Sequence, residues 1–158
     1  MVAKTSIQIR ALELADFTFV RDLAAQQPTF SIPPSFVLWV LGKGNPKLCL
    51  LAVDDEGQKL GYLLAISTTD PANSVYVWQL ASSTPHATKA LLQQLYRTVS
   101  ELSTDKVLFS AVPDSVKFRA IRQYVMEVSG SEVTALGQVP ELVSPVEAEY
   151  YVRLDRQT

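Results

Sequence analysis

Cysteine and histidine occur once each in this chain of 158 residues, as Cys49 and His86. A lone cysteine excludes an internal disulfide, and its place in the apolar run Leu48-Cys49-Leu50-Leu51 suits a small buried hydrophobe in a reducing, cytoplasmic compartment. One histidine and one cysteine also fall short of the nitrogen and sulfur set that zinc needs, so no metal site is expected. Excess positive charge is missing as well: 14 Lys+Arg against 16 Asp+Glu leave −2, which argues against a nucleic-acid partner. No apolar run approaches the roughly 18 residues of a membrane span. Met1 to Ser6 carry one charge and no apolar stretch, so neither a membrane partner nor a secretory leader is expected. Glycine is scarce, and none lies between Ser82 and Leu91.

Hydrophobic residues make up 47% of the chain, enough for a sizeable core, and the length suits a single domain over 1–158. Alternation of apolar and polar residues over 7–12 predicts a half-buried strand. Asp16 is placed to cap a helix with Phe17, Val20, Leu23 and Ala24 on its apolar face, limited by Pro28. Pro33-Pro34 suits the first turn of a second helix over 35–41, which the breakers of 42–46 should end. Strands over 47–53 and 60–67 flank Asp54-Asp55-Glu56-Gly57-Gln58, a hairpin signal. After the turn Asp70-Pro71-Ala72-Asn73 come a strand over 75–81 and a helix from Pro85 carrying Leu91, Leu95, Val99 and Leu102. An apolar strand over 106–112 meets Pro113-Asp114-Ser115, which can cap a helix carrying Phe118, Ile121, Val125 and Val128, closed by Gly130. Two further strands are expected at 132–138 and 148–154. Hairpins first and a strand–helix–strand crossover later predict an α/β (α+β) domain: a mixed sheet of about seven strands with helices on both faces.

The chemistry concentrates where the strand Val75-Tyr76-Val77-Trp78-Gln79-Leu80-Ala81 runs through Ser82-Ser83-Thr84 into the helix at Pro85. A polar turn at a helix N-terminus suits an anion, because free N–H groups and the helix dipole point at it. Ser82, Ser83, Thr84 and Thr88 offer hydroxyls there, and Lys89 offers a point charge. The plainer reading has the hydroxyls capping the helix and Lys89 solvated.

The element order resembles that of the GNAT N-acyltransferases over nearly the whole chain, and most closely their diaminobutyrate acetyltransferase branch. Carrying the resemblance are Asp16-Phe17, Pro33-Pro34-Ser35-Phe36-Val37-Leu38, Gly61-Tyr62-Leu63-Leu64-Ala65, Val77-Trp78-Gln79-Leu80-Ala81 and Val112-Pro113-Asp114-Ser115. It implies acetyl-CoA as co-substrate, with the pantetheine arm along a strand that splays from its neighbour at Trp78 to Ala81. A small amine or amino acid would enter from the other side, and a homodimer through a terminal strand such as 148–154 is possible. Cofactor contacts implied by position are Leu80, Ala81, Ser82, Ser83, Thr84, His86, Thr88, Lys89 and Ser115. Phe36 and Trp78 fall on the substrate side, and Trp78 and Ser115 are the catalytic candidates by position alone. The family's glycines are replaced by His86, Thr88 or Ala90, depending on the alignment. Glycine lets a backbone approach phosphate closely, so their loss weakens the cradle. The family's helix tyrosine aligns with Arg122, leaving Tyr124 on a different face. His86 reads better as an exposed loop residue or phosphate contact than as a base, and no base is identified. Two readings stand: an N-acetyltransferase first, and a non-catalytic binding, regulatory or interaction protein second.

Overall fold

The computed structural model describes residues 6–69, 72–144 and 146–153. Seven strands form one sheet in the order β1-β2-β3-β4-β5-β7-β6. They are β1 Gln8–Ala11, β2 Cys49–Val53, β3 Lys59–Thr68, β4 Ser74–Ser82, β5 Lys106–Ala111, β6 Val133–Gln138 and β7 Ala148–Arg153. All neighbours run antiparallel except β4 and β5, which are parallel. The helices are α1 Phe17–Ala25, α2 Ser35–Gly44, α3 Pro85–Glu101 and α4 Val116–Ser129. The mixed sheet read from the sequence is therefore present. No helix among the described residues is long and apolar enough to cross a membrane.

Strand alternation divides the core into two layers. Leu50, Leu63, Val75, Val77 and Phe109 face α3 and α4, meeting Leu91, Leu95, Val99, Phe118 and Val125. Cys49, Leu51, Tyr62 and Leu64 face α1 and α2, meeting Phe17, Val20 and Leu38. The helical spacing read at 17–24 and 118–125 is thus the packing face in each case. Leu102 departs from it: α3 ends at Glu101, and Leu102 is 45% exposed.

Turn chemistry fixes the hairpin. Asp54 Oδ1 accepts from the N–H groups of Glu56 and Gln58, and Gly57 takes the positive φ of +79° the turn requires. α2, in contrast, runs past the expected stop through Gly42 to Gly44, because the Asn45 N–H still reaches the Leu41 carbonyl at 2.8 Å. Pro33 and Pro34 precede that helix, with Pro34 at its N-cap. The turn at Asp70 and Pro71 and the end of the last strand at Leu154 lie outside the described residues. β7 is not a free edge as a dimer strand would be: it pairs with both β5 and β6, so the sheet's edges are β1 and β6.

Asp16 does not cap α1 with its side chain. A 3-10 turn, Leu14–Asp16, turns its carboxylate inward, where it is completely buried. Arg10 donates two hydrogen bonds at 2.8 and 3.0 Å, Lys59 forms an ion pair at 2.8 Å, and the Glu13 N–H donates at 2.8 Å. The cluster ties β1 and β3 to the start of α1. Burial alone would raise the Asp16 pKa; the Arg10 and Lys59 hydrogen bonds and the Glu13 N–H outweigh it and hold the carboxyl at about 2. A folded value below the ordinary one means that this stabilisation is present above about pH 4 and is lost as the pH falls toward 2. Asp16→Asn should lose about 2 kcal/mol in urea unfolding at pH 7. The gap between parent and variant should then narrow as the titration is repeated from pH 4 down to pH 2.

Candidate active site

β4 is paired along its length with β3 but only briefly with β5. The parallel ladder joins Ser74–Val77 to Lys106–Phe109 and stops at the Val77↔Phe109 pair. In the β3 ladder Leu64 stands opposite Gln79 and Ala65 opposite Val77, so Trp78 is an extra, bulged residue. The bulge bends β4 just where β5 leaves it. Phe109, the last β5 residue in that ladder, stacks in the core with Tyr150, which lies 5.6 Å from Phe109 and 4.4 Å from Phe118 between centroids. Residues 78–82 of β4 consequently have no strand partner on the β5 side, although Leu80 and Ala81 are buried. Backbone groups in such a place call for a hydrogen-bonding ligand.

A cavity of ≈ 270 Å³ opens against this edge. Leu80, Ala81 and Ser82 form one wall, and Ser83, Thr84, Pro85 and Thr88 the next. Lys117, Ala120, Ile121 and Tyr124 of α4 close it, with Gln27 at its rim. Gly61 on β3 permits the wall to sit this close. A Cβ there would stand 2.5 Å from Ser82 Cβ and 2.6 Å from the Ala81 carbonyl oxygen.

Expected site residues separate into those on the wall and those off it. Leu80, Ala81, Ser82, Ser83, Thr84 and Thr88 line the cavity. Their hydroxyls are engaged within the loop: Ser82 Oγ donates to the Thr84 carbonyl at 2.7 Å and also meets Thr88 Oγ1. Ser83 Oγ donates to the Leu60 carbonyl at 3.1 Å, and Thr84 Oγ1 caps the Ala87 N–H at 3.1 Å. Lys89 points away to pair with Glu127 at 2.9 Å. His86 is exposed in the first turn of α3 and off the wall. Pro85 brings no N–H to this helix start and the Ala87 N–H is taken by Thr84 Oγ1, which reduces the donors available to an anion.

Ser115 accepts the Phe118 N–H at 3.0 Å as the N-cap of α4 and does not line the cavity. Phe36 is 69% exposed on α2 and leans on Trp39. Trp78, as the bulged residue, is 37% exposed and lies neither in the core nor on the cavity wall. Tyr62 and Gln79 are more than sheet packing. The Tyr62 hydroxyl donates to Gln79 Oε1 at 2.9 Å, and Gln79 Nε2 donates to the Ser31 carbonyl at 2.8 Å, which ties the connection between α1 and α2 to β4.

Tyr124 and Lys117 are among the wall residues not assigned to the site from the sequence. Tyr124 lies on a different face from Arg122, as read from the sequence, and it is Tyr124 that lines the cavity, whereas Arg122 is exposed and off it. The helix phase that buries Phe118 and Val125 also brings 117, 120, 121 and 124 along the cavity side, a signal present in the spacing. Lys117 lies on that same face. Its Nζ lies 4.0 Å over the Phe30 ring, and burial lowers its pKa to about 8 against the opposing charge of Glu147.

The overall fold is shared with solved structures. Diaminobutyrate acetyltransferase from Paenibacillus lautus, in complex with L-2,4-diaminobutyric acid and coenzyme A, superposes with a TM-score of 0.78 at 18% identity, covering 98% of this chain and 99% of that one. The fold is that of the GNAT N-acetyltransferases. Another GNAT-fold match is the PaiA N-acetyltransferase from Thermoplasma acidophilum in complex with coenzyme A: TM-score 0.70, 14% identity, 94% of this chain and 99% of that one. The ribosomal-protein-S18-alanine N-acetyltransferase from Escherichia coli gives 0.66 at 11% identity, over 94% and 93%. No family model matches the chain, and no curated protein matches it. Against this GNAT frame the cavity faces α3 and α4.

Gly61→Ala should cost about 1–3 kcal/mol in thermal unfolding and shift amide resonances around Ser82, since backbone rather than a flexible side chain blocks the methyl. Trp78→Ala, by its exposure, should cost about 1 kcal/mol or less; a larger loss in the same melt would place the ring in the core.

Proposed function

We propose that this chain is an acetyl-CoA-dependent N-acetyltransferase acting on a small amine or amino acid. One observation carries the reading: the β4 edge freed beyond Val77 opens into a cavity walled by Tyr124. The freed backbone groups of 78–82 suit the amide-bearing pantetheine arm, which needs donors and acceptors in sequence. An N–H near Leu80 or Ala81 would polarise the thioester carbonyl. The neutral amine attacks the carbonyl carbon, the C–S bond breaks with its electron pair on sulfur, and the Tyr124 hydroxyl supplies the proton to that sulfur, while the proton released from the nitrogen passes through solvent and restores Tyr124. The nucleotide end meets a thinner fit, because the Ser82, Ser83 and Thr84 hydroxyls would have to give up internal bonds to reach phosphate.

That same loop supports a second reading, a GNAT-fold ligand-binding or regulatory protein without turnover. Solved neighbours include enzymes named for a small amino acid and for a protein alanine. The acceptor class therefore rests on assay.

Calorimetric titration with acetyl-CoA should give a dissociation constant in the micromolar range, followed by turnover on an amine panel that begins with diaminobutyrate. Absence of heat at millimolar acetyl-CoA would overturn the enzyme reading, while binding without turnover would favour the second. Tyr124→Phe should lower kcat about a hundredfold with little change in KM.

A further inference from the structure

Lys117 belongs to the first turn of α4 and lines the cavity beside Ala81, Ser82 and Tyr124. Among the described residues it is the one lysine on that wall. Lys59 is paired with Asp16 and Lys89 with Glu127; Lys43 and Lys106 sit over the Trp39 and Tyr151 rings. Phe30 covers the Lys117 amine on one side at 4.0 Å. The residue nonetheless remains exposed as a whole. Burial against Phe30 lowers the pKa of this amine, which enlarges its neutral fraction at pH 7. A neutral, reachable amine beside an acyl thioester is a nucleophile.

We propose that Lys117 is itself an acyl acceptor, taking the acyl group of a thioester seated in the cleft. The inference rests on the reading that the cleft accepts an acyl thioester. The Lys117 nitrogen lone pair forms the new C–N bond to the carbonyl carbon, the C–S bond breaks with its electron pair on sulfur, and the proton released from nitrogen passes through Tyr124 or water to that sulfur. The product is an uncharged amide. Acylation removes the cation over Phe30 and places added atoms in a cavity of only ≈ 270 Å³, so the modified chain should bind coenzyme A more weakly. The site then limits its own occupancy.

The test incubates the full chain with acetyl-CoA, and separately with the short thioester S-acetyl-N-acetylcysteamine, which needs the cavity but no nucleotide cradle. Peptide mass mapping follows the time course. The expected result is one acetyl group, on the peptide holding Lys117, formed at least tenfold faster than on any other lysine and lost in Lys117→Arg. That variant keeps the cation over Phe30, and a melt matching the parent shows that it folds. If coenzyme A binds by calorimetry but Lys117 is modified no faster than the surface lysines, the proposal falls and the enzyme reading stands. If coenzyme A gives no heat yet the short thioester marks Lys117, the enzyme reading falls and the acylation site stands. With neither binding nor modification, both fall.

Discussion

Everything at the candidate site depends on β4 keeping its ladder with β3 to Ser82 while giving up β5 after Val77. Two features meet at the same level of the sheet. The extra residue Trp78 bends β4, and Phe109, where the β5 ladder stops, is packed in the core against Tyr150 and Phe118. A bulge increases local twist, which turns β4 away from the line of β5. The close passage of Gly61 against Ala81 and Ser82 keeps the far wall in place.

The loop above the gap spends its polar groups on itself. Ser82, Ser83 and Thr84 each satisfy a backbone group nearby, so the start of α3 is well capped and has few donors to spare. Capping and anion binding compete for the same N–H groups, and here capping has the larger share. Charge has moved to the opposite wall. Lys117 is the cation at the cavity, and its surroundings favour a neutral amine more than an exposed lysine's would. The fold is that of the GNAT N-acetyltransferases, and the charged side chain on the cavity wall comes from α4 rather than from the α3 turn.

On the other face of the sheet, the buried chain Tyr62–Gln79–Ser31 holds the segment between α1 and α2 against β4. Burial keeps the Tyr62 hydroxyl protonated as a donor, since its pKa is pushed well above the ordinary value. Together with the Asp16 cluster, this arrangement fixes α1 at both ends. Phe36 and Trp39 are left outside that framework and are partly exposed on α2.

Element types and order were legible in the sequence because they rest on local signals: the period of apolar residues in α3 and α4, the Asp54–Gly57 turn, and the cap at Ser115. The strand-to-helix turn at 82–85 was legible for the same reason. Where residues serve two purposes, the sequence was silent. It could not tell whether the serine and threonine hydroxyls would face a ligand or their own backbone, nor that Asp16 would leave a cap for Arg10 and Lys59, partners brought close only by folding. Tyr124 and Lys117 reach the cavity through the rotation of α4 about its axis, which the packing of Phe118 and Val125 decides. Local periodicity therefore determined the fold. The tertiary structure decided the site, because a cavity exists only between elements distant in the chain, and its wall is set by how they pack.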